Sequence, residues 1–440
     1  MARFLYCLYG ASGHMGPTLP VMRELLRRGH EVAVLTGPTY KKTIEDLGVI
    51  HFSPRAWNPD LKIQPLPPPR SRAGSLLLNR NTMGNIFITD APLLAADIKN
   101  VLKDWRADVI LGNEGTPGVE LAASQGGHLW ATHHVLMQCT LPSRDVPVFG
   151  MGNPLLRGPW GQSKMRLANA FVRITMRPLI KKWEEIRAAH GLPPKNLSYI
   201  LEYMASNYLC VIPSTADFDY PRSDLPDHVH YVGPCQWDGP SGMQSWDNPF
   251  HDGRPLIYGT AGTVFNHPVF HKTLVEAVRG RPYNLFLTMG MNNDPAALGP
   301  LPPNVRAERF VPQHLLWPHV SMMVTNGSDG GVTGALVAGK PLVVAAPQGG
   351  PQPETARRCV EAGVGEIIGL HEFTPSKLRA AIETVLWSRR YHNAAEGLGS
   401  KLRAMNGPVN AATLFERLAA TGRPVLRSEL AREARVAPST

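Results

Sequence analysis

The residues from Val324 to Gly331 carry the clearest chemical pattern in this chain. They read Val-Thr-Asn-Gly-Ser-Asp-Gly-Gly, an apolar strand running into a turn of small residues. An Ala/Leu/Val-rich helical run follows, then Gly339-Lys340-Pro341, a second apolar strand from Leu342 to Ala346, and another Gly/Pro turn. A strand, a glycine turn and a helix N-terminus together present backbone N–H groups and a positive dipole end to an anion, usually a phosphate. Asp227-His228-Val229-His230 sets two imidazoles at alternate positions, but no further soft ligand lies nearby in sequence to complete a zinc site. His133-His134 follows an apparent strand from Leu129 to Thr132 and could touch a ligand there, although a surface or packed histidine is the simpler reading. No GxSxG, Walker lysine or HExxH pattern occurs.

The elements that must position such a turn alternate between strand and helix. Phe4 to Tyr9 is an apolar strand, Gly10 to Pro17 a glycine turn, and Thr18 to Arg28 an amphipathic helix closed by Gly29-His30. Glu31 to Leu35 and Asp108 to Leu111 are further strands. A second series begins at Pro255 to Tyr258, with a turn at Gly259 to Thr263, a helix from His267 to Arg279 and a strand from Asn284 to Thr288. Such alternation means parallel βαβ units. Gln162 to His190 reads as a long helix, Ala411 to Leu418 as the last helix, and the tail after Gly422 as frayed. Asn58 to Arg80 and Gly150 to Gly161 read as surface loops. The Pro/Gly/Asp/Trp-rich run from Asp219 to Gly253 is the linker candidate. The expected division is therefore 1–222, a linker at 223–254, a second domain at 255–404, and a C-terminal helix and tail at 405–440. Two such halves face a cleft at the carboxyl ends of both sheets, where ligands bind in these folds.

Bulk properties agree with this reading. A length of 440 residues suggests two domains. With 43% hydrophobic and 18% charged residues the chain is globular. No apolar run is long enough for a membrane span, and the N-terminus enters its first strand without a signal-peptide pattern. Five scattered cysteines without a CxxC pair predict a reducing, cytoplasmic setting. The net charge of +10 is spread over separate elements, which argues against nucleic acid and suits anionic small ligands.

Five stretches, taken in order, resemble one family. They are Gly10 to Val32 (GASGHMGPTLPVMRELLRRGHEV), Pro213 to Pro234, Tyr258 to Asn266 (YGTAGTVFN), Pro302 to Gly327, and Val324 to Gly365. The chain resembles a family-1 glycosyltransferase of the bacterial kind that decorates macrolides and other natural products. The resemblance implies an α/β GT-B fold: two Rossmann-like domains, with the C-terminal helix returning to the N-domain. It implies inverting transfer of a sugar from a nucleoside-diphosphate donor (UDP, dTDP or GDP) to a small-molecule acceptor. No cofactor and no obligatory metal are expected, and a homodimer is left open as an assembly. The other readings are a degenerate homologue serving as an auxiliary or regulatory partner, and a GT-B-derived enzyme with an altered donor or reaction. In this family Asp217-Phe218-Asp219, although it spells a metal-type DxD, falls in a structural segment.

The resemblance also assigns roles. His14, beside Gly13 on the loop after the first strand, is the base that deprotonates the acceptor, a task suited to an imidazole titrating near pH ~6.5. Its orienting carboxylate falls at Gly112-Asn113-Glu114-Gly115. Either Asn113 or Glu114 could take that place, because one register step reverses a side chain's direction. The nucleotide base would pack near Phe310 and Val311, with Gln313 close to the ribose. The diphosphate would meet Asn326, Gly327, Ser328, Gly330 and Gly331, approached by Thr260 and Thr263, and the sugar hydroxyls would meet Gln352. Acceptor-pocket loops are expected at Asn58 to Arg80 and Pro142 to Trp160. Several positions depart from the family pattern. Asn326 stands for its histidine, Ser328 for a glycine, Gly331 for a hydroxyl residue, Gly334 for a ribose-binding glutamate, Pro351 for an aspartate and Thr355 for an asparagine. Backbone recognition of phosphate survives such changes, so an unusual donor, or an unusual way of holding one, is expected.

Overall fold

The computed structural model describes residues 1–60, 76–77, 80–81, 83–237, 243–262, 268–290, 293–347 and 350–436. Its described strands form two sheets. The first comprises β1 (Arg3–Cys7), β2 (Glu31–Leu35), β3 (Ile50–Phe52), β4 (Val109–Gly112), β5 (Trp130–His133), β6 (Cys210–Ile212) and β7 (Val229–Tyr231), in the order β3-β2-β1-β4-β5-β6-β7. The second comprises β8 (Leu256–Thr260), β9 (Asn284–Thr288), β10 (Val305–Glu308), β11 (Val320–Thr325), β12 (Leu342–Ala345) and β13 (Gly365–Ile368), in the order β10-β9-β8-β11-β12-β13. Every described pairing is parallel. The strands are short apolar runs covered by helices on both faces, as parallel sheets require.

Side-chain alternation divides each sheet into two cores. In the first, Leu5, Cys7 and Ile110 pack with Leu94, Ile98, Met176 and Trp183, while Phe4, Tyr6 and Leu111 face Met22, Leu25, Phe415 and Leu418 on the other side. In the second, Ile257, Leu285 and Val343 meet Leu274, Val278 and Ile382, while Tyr258, Phe286 and Val344 meet Ala335, Leu336 and Leu398. The β11 register sets Thr325 beside Thr260, so the carboxyl ends of β8 and β11 lie side by side.

The helix Gly407–Thr421 returns from the second half to the first. It packs on the helix Leu19–Arg27, where Arg28 binds Glu416 at 2.5 Å and His30 binds the same carboxylate at 2.7 Å. Burying Phe415 and Leu418 there contributes roughly 1.5–3 kcal/mol per side chain. The chain beyond Gly422 differs from expectation. It is not frayed but forms a further helix, Arg427–Val436. Val425 is buried, with its N–H on Tyr208 O, and Ser428 N–H reaches Asp227. Gly422, at φ +64°, ends the preceding helix and turns the apolar Val425 inward. The long helix also starts earlier than its periodicity suggested, spanning Gly158–Ala189, because Pro159 suits a first turn. Most of the loop expected from Asn58 to Arg80 lies outside the described residues.

Candidate active site

The turn after β1 carries His14. A single helical turn, Ser12–Met15, holds its backbone, and Thr18 Oγ1 caps His14 O at 3.1 Å. Its ring stands against Tyr9 with centroids 5.7 Å apart. Asn113, at the end of β4, places Nδ2 3.0 Å from His14 Nδ1. The other end of that amide is fixed, because Oδ1 accepts the Gly115 N–H at 2.9 Å. Asn113 is itself buried, and its backbone N–H donates to Thr116 Oγ1 at 2.8 Å. Of the two residues that the sequence left open, Asn113 thus touches the imidazole. Glu114 turns the other way, to His134 Nδ1 at 2.5 Å and Val135 N–H at 3.1 Å. Burial disfavours charge on both Glu114 and His134, but their pairing overrides it. His134 is held well above its ordinary value and Glu114 below its own. Burial lowers His14, with the Glu114 charge pulling the other way. Gly13 is exposed beside His14, and a Cβ there would meet nothing within 4 Å.

The donor-side turn joins β11 to the helix Asp329–Val337. Gly327 has φ +92° and Gly262, in the neighbouring turn after β8, has φ +68°, conformations that favour glycine. Asn326 is built into the turn. Its Nδ2 donates to Ala261 O at 2.6 Å, and its Oδ1 accepts from Ser328 N–H at 3.2 Å. A Cβ on Gly331 would come within 3.0 Å of Met323 and 3.1 Å of Ser328 Oγ, whereas one on Gly330 would meet nothing within 4 Å. The first N–H groups of the helix have no intrahelical partners. Gln352 opens the next helix, Gln352–Glu361, and its carbonyl lies 3.1 Å from where a Gly327 Cβ would stand. Thr260 is buried at the end of β8. Val311 is buried and Phe310 largely exposed. Gln313 Nε2 donates to Tyr258 Oη at 3.4 Å, while its Oε1 sits over Gly334, 2.7 Å from a Cβ placed there, with the Trp317 ring at 2.9 Å. A side chain longer than glycine at position 334 has no room unless Gln313 moves. Thr263 lies outside the described residues.

Residues that sequence reasoning passed over join the two sides. Asp329, the first residue of the donor helix, accepts from Thr355 Oγ1 at 2.6 Å, and Gln138 of the first half reaches Thr355 at 3.3 Å. Burial, reinforced by the Glu114 charge, pushes the Asp329 carboxyl up to about 7. Glu354 Oε1 accepts three consecutive N–H groups, from Gly150, Met151 and Gly152, at 2.8, 3.0 and 2.7 Å. Arg358 is fully buried between Asp219 at 2.7 Å and Glu354 at 3.0 Å, under the Tyr220 ring. The Glu354/Arg358 spacing of i,i+4 was the available signal. Asp329 lies inside the turn motif, where the glycines carry the stronger signal. The DxD carboxylates face separate partners, Asp217 on Lys401 and Asp219 on Arg358. His133 packs between Tyr6 and Phe415, and His230 Nε2 binds Val425 O.

Two parallel α/β halves, with a histidine turn at the end of one sheet and a glycine turn opening a helix at the end of the other, have the layout of a GT-B fold. The model for the C-terminal domain of erythromycin biosynthesis protein CIII-like proteins matches residues 284–418. A 4'-demethylrebeccamycin synthase of Lentzea aerocolonigenes is 31% identical over 429 residues, covering 95% of this chain and 99% of that protein. A demethyllactenocin mycarosyltransferase of Streptomyces fradiae is 28% identical over 425 residues, covering 95% and 87%. A spinosyn rhamnosyltransferase complexed with thymidine diphosphate shares the fold, with a TM-score of 0.71 at 18% identity over 95% of this chain and 100% of that one. The chain belongs to the family-1 GT-B glycosyltransferases, related to the bacterial natural-product enzymes, and is a nucleotide-sugar-dependent transferase of class EC 2.4. No described helix is long and apolar enough to cross a membrane.

Proposed function

We propose that this chain transfers a sugar, with inversion, from a nucleoside-diphosphate donor to a small natural-product acceptor. Residues 1–222 hold the acceptor and 255–404 the donor. The acceptor atom attacks the anomeric carbon in line. The bond to the β-phosphate oxygen breaks, and its electron pair leaves with the nucleoside diphosphate. Backbone N–H groups from Asp329 to Gly331, at the start of the helix, stabilise that leaving charge. His14 meets the attacking atom and takes its proton where one has to be removed. The rebeccamycin and lactenocin relatives support a natural-product acceptor, and the thymidine diphosphate complex of the spinosyn enzyme supports a nucleoside diphosphate at the cradle.

The observation that carries this reading is the placing of His14 at the carboxyl ends of β1 and β4, with the glycine cradle at the carboxyl ends of β8 and β11. Replacing His14 with alanine is expected to lower turnover by about 10²–10⁴-fold if it removes a proton, with nucleotide affinity unchanged. Equal turnover by the variant with an alcohol acceptor would remove that role. Calorimetric titration with UDP, dTDP and GDP checks the donor side, and no heat from any of them would count against the transferase reading.

A further inference from the structure

We propose that Asn113 fixes the proton of neutral His14 on Nε2, so that this site is built for acceptors whose nucleophilic atom arrives ionised or readily ionises, such as a phenol, a thiol or an acidic heteroaromatic N–H. The proposal deepens the transferase reading and rests on it for the identity of the reacting atoms, but the tautomer itself does not.

The argument is one of donors and acceptors. An amide nitrogen only donates, so Asn113 Nδ2 at 3.0 Å obliges His14 Nδ1 to accept. The amide cannot simply rotate. Gly115 N–H, which also only donates, lies 2.9 Å from Oδ1 and would face the NH2 group after a flip. With Nδ1 bare, the one ring proton of neutral His14 resides on Nε2. A base acting through Nε2 needs the opposite arrangement, a bare Nε2 and a proton on Nδ1 held by an acceptor, which an aspartate supplies and this amide does not. Nor is a charged imidazolium favoured, since its Nδ1–H would point at the Nδ2 hydrogens. Burial independently holds His14 toward its neutral form. Among the described residues, the neighbours Tyr9, Gly115 and Glu114 offer the ring no substitute orienter. The Tyr9 ring lies tilted against it, Gly115 has no side chain, and the Glu114 carboxylate is spent on His134 and Val135.

In this arrangement His14 donates Nε2–H to the nucleophile and holds it against the anomeric carbon. For an ionised acceptor the balance is complete. The proton has already passed to solvent, the lone pair forms the new bond to C1, and the bond to the diphosphate oxygen breaks. For an unactivated alcohol the proton must go to Nε2, which first requires the Nδ1–H tautomer and a turned amide.

Two measurements test this. In full-length protein with 15N-labelled histidine, the His14 resonances, assigned by their loss in His14→Gln, should show a protonated Nε2 and a bare Nδ1 at neutral pH. In Asn113→Asp, which keeps an acceptor for Gly115 N–H and gives Nδ1 an acceptor too, they should exchange. With dTDP-glucose or UDP-glucose as donor, Asn113→Asp should raise turnover of an aliphatic alcohol at least about tenfold. It should lower turnover of a nitrophenol ionised at the assay pH, because Nε2 no longer carries the hydrogen that it donates to the phenolate. A wild-type His14 carrying its proton on Nδ1, or a gain in Asn113→Asp that is equal for both acceptors, overturns the proposal. If neither donor supports turnover of any acceptor, the transferase reading is what fails, and the nitrogen spectrum still decides the tautomer.

Discussion

At the scale of single residues, Gly115 shows how little room surrounds His14. A Cβ at position 115 would stand 3.1 Å from two Tyr9 ring carbons and 3.2 Å from His14 Cε1, tighter than ordinary contact. Its backbone is not in the left-handed region, so Gly115→Ala is a purely steric change. The imidazole has to give by a few tenths of an ångström, and reacting groups tolerate little misplacement. We expect Gly115→Ala to lower kcat about tenfold while leaving thermal stability and nucleotide affinity nearly unchanged, as read by steady-state kinetics beside a melting curve. Wild-type kcat would show that the ring is not held by this wall. The position of His14 on the turn after β1 was legible in the sequence, because an apolar strand running into glycines marks such a turn. Its partner was not, because Asn113 and Glu114 are adjacent and successive side chains point opposite ways. Only the loop closed by Thr116 decides that Asn113 faces the ring.

At the scale of elements, the short parallel strands were legible because their apolar runs need no partner pattern to be recognised. Edges were less so. The helix Arg427–Val436 is rich in charge and hangs on Val425 and Asp227, contacts that no local periodicity announces. The donor helix Asp329–Val337 shows the same limit within the site. Its glycines suit the proposed anion cradle, yet its first residue is a carboxylate, which as an anion opposes a diphosphate. Burial resolves the conflict by keeping Asp329 largely protonated below about pH 7, with Glu114 reinforcing the shift and Thr355 and Arg358 opposing it. The folded value lies above the unfolded value of roughly 3.9. The stability that the neutral carboxyl confers is therefore complete below about pH 4 and is lost as pH rises through about 7. The same ionisation should weaken nucleotide binding. Above pH 7 the affinity for dTDP or UDP is expected to fall by up to about tenfold per pH unit, and Asp329→Asn should flatten that slope. Calorimetry at pH 6, 7 and 8 on both proteins isolates the effect, since the ionisation of the nucleotide itself is common to both. Parallel slopes would sink the assignment.

At the scale of the whole molecule, the two halves are tied by charge as well as by the returning helix. Arg358 rises from the second half into a pocket formed by Asp219, Tyr220 and Glu354, and Glu354 in turn gathers the N–H groups of residues 150 to 152. A single side chain thus links the helix that begins at Gln352 to the loop expected to line the acceptor pocket. Removing the guanidinium would leave two carboxylates buried with less than their full complement of partners. Asp219 would keep Cys139 N–H and Tyr231 Oη, and Glu354 would keep its three backbone donors. Breaking a buried pair from one side typically costs about 3–5 kcal/mol, and the surviving donors place this case toward the lower end. Arg358→Met, close in volume and uncharged, should therefore lower the thermal midpoint clearly. Because the lost contact joins the halves, calorimetry should also resolve two melting transitions where the wild type shows one. A variant that melts as a single unit at the wild-type temperature would mean that the remaining links, among them Glu354 with residues 150 to 152 and Phe415 with the Arg28–Glu416 pair, hold the halves in register.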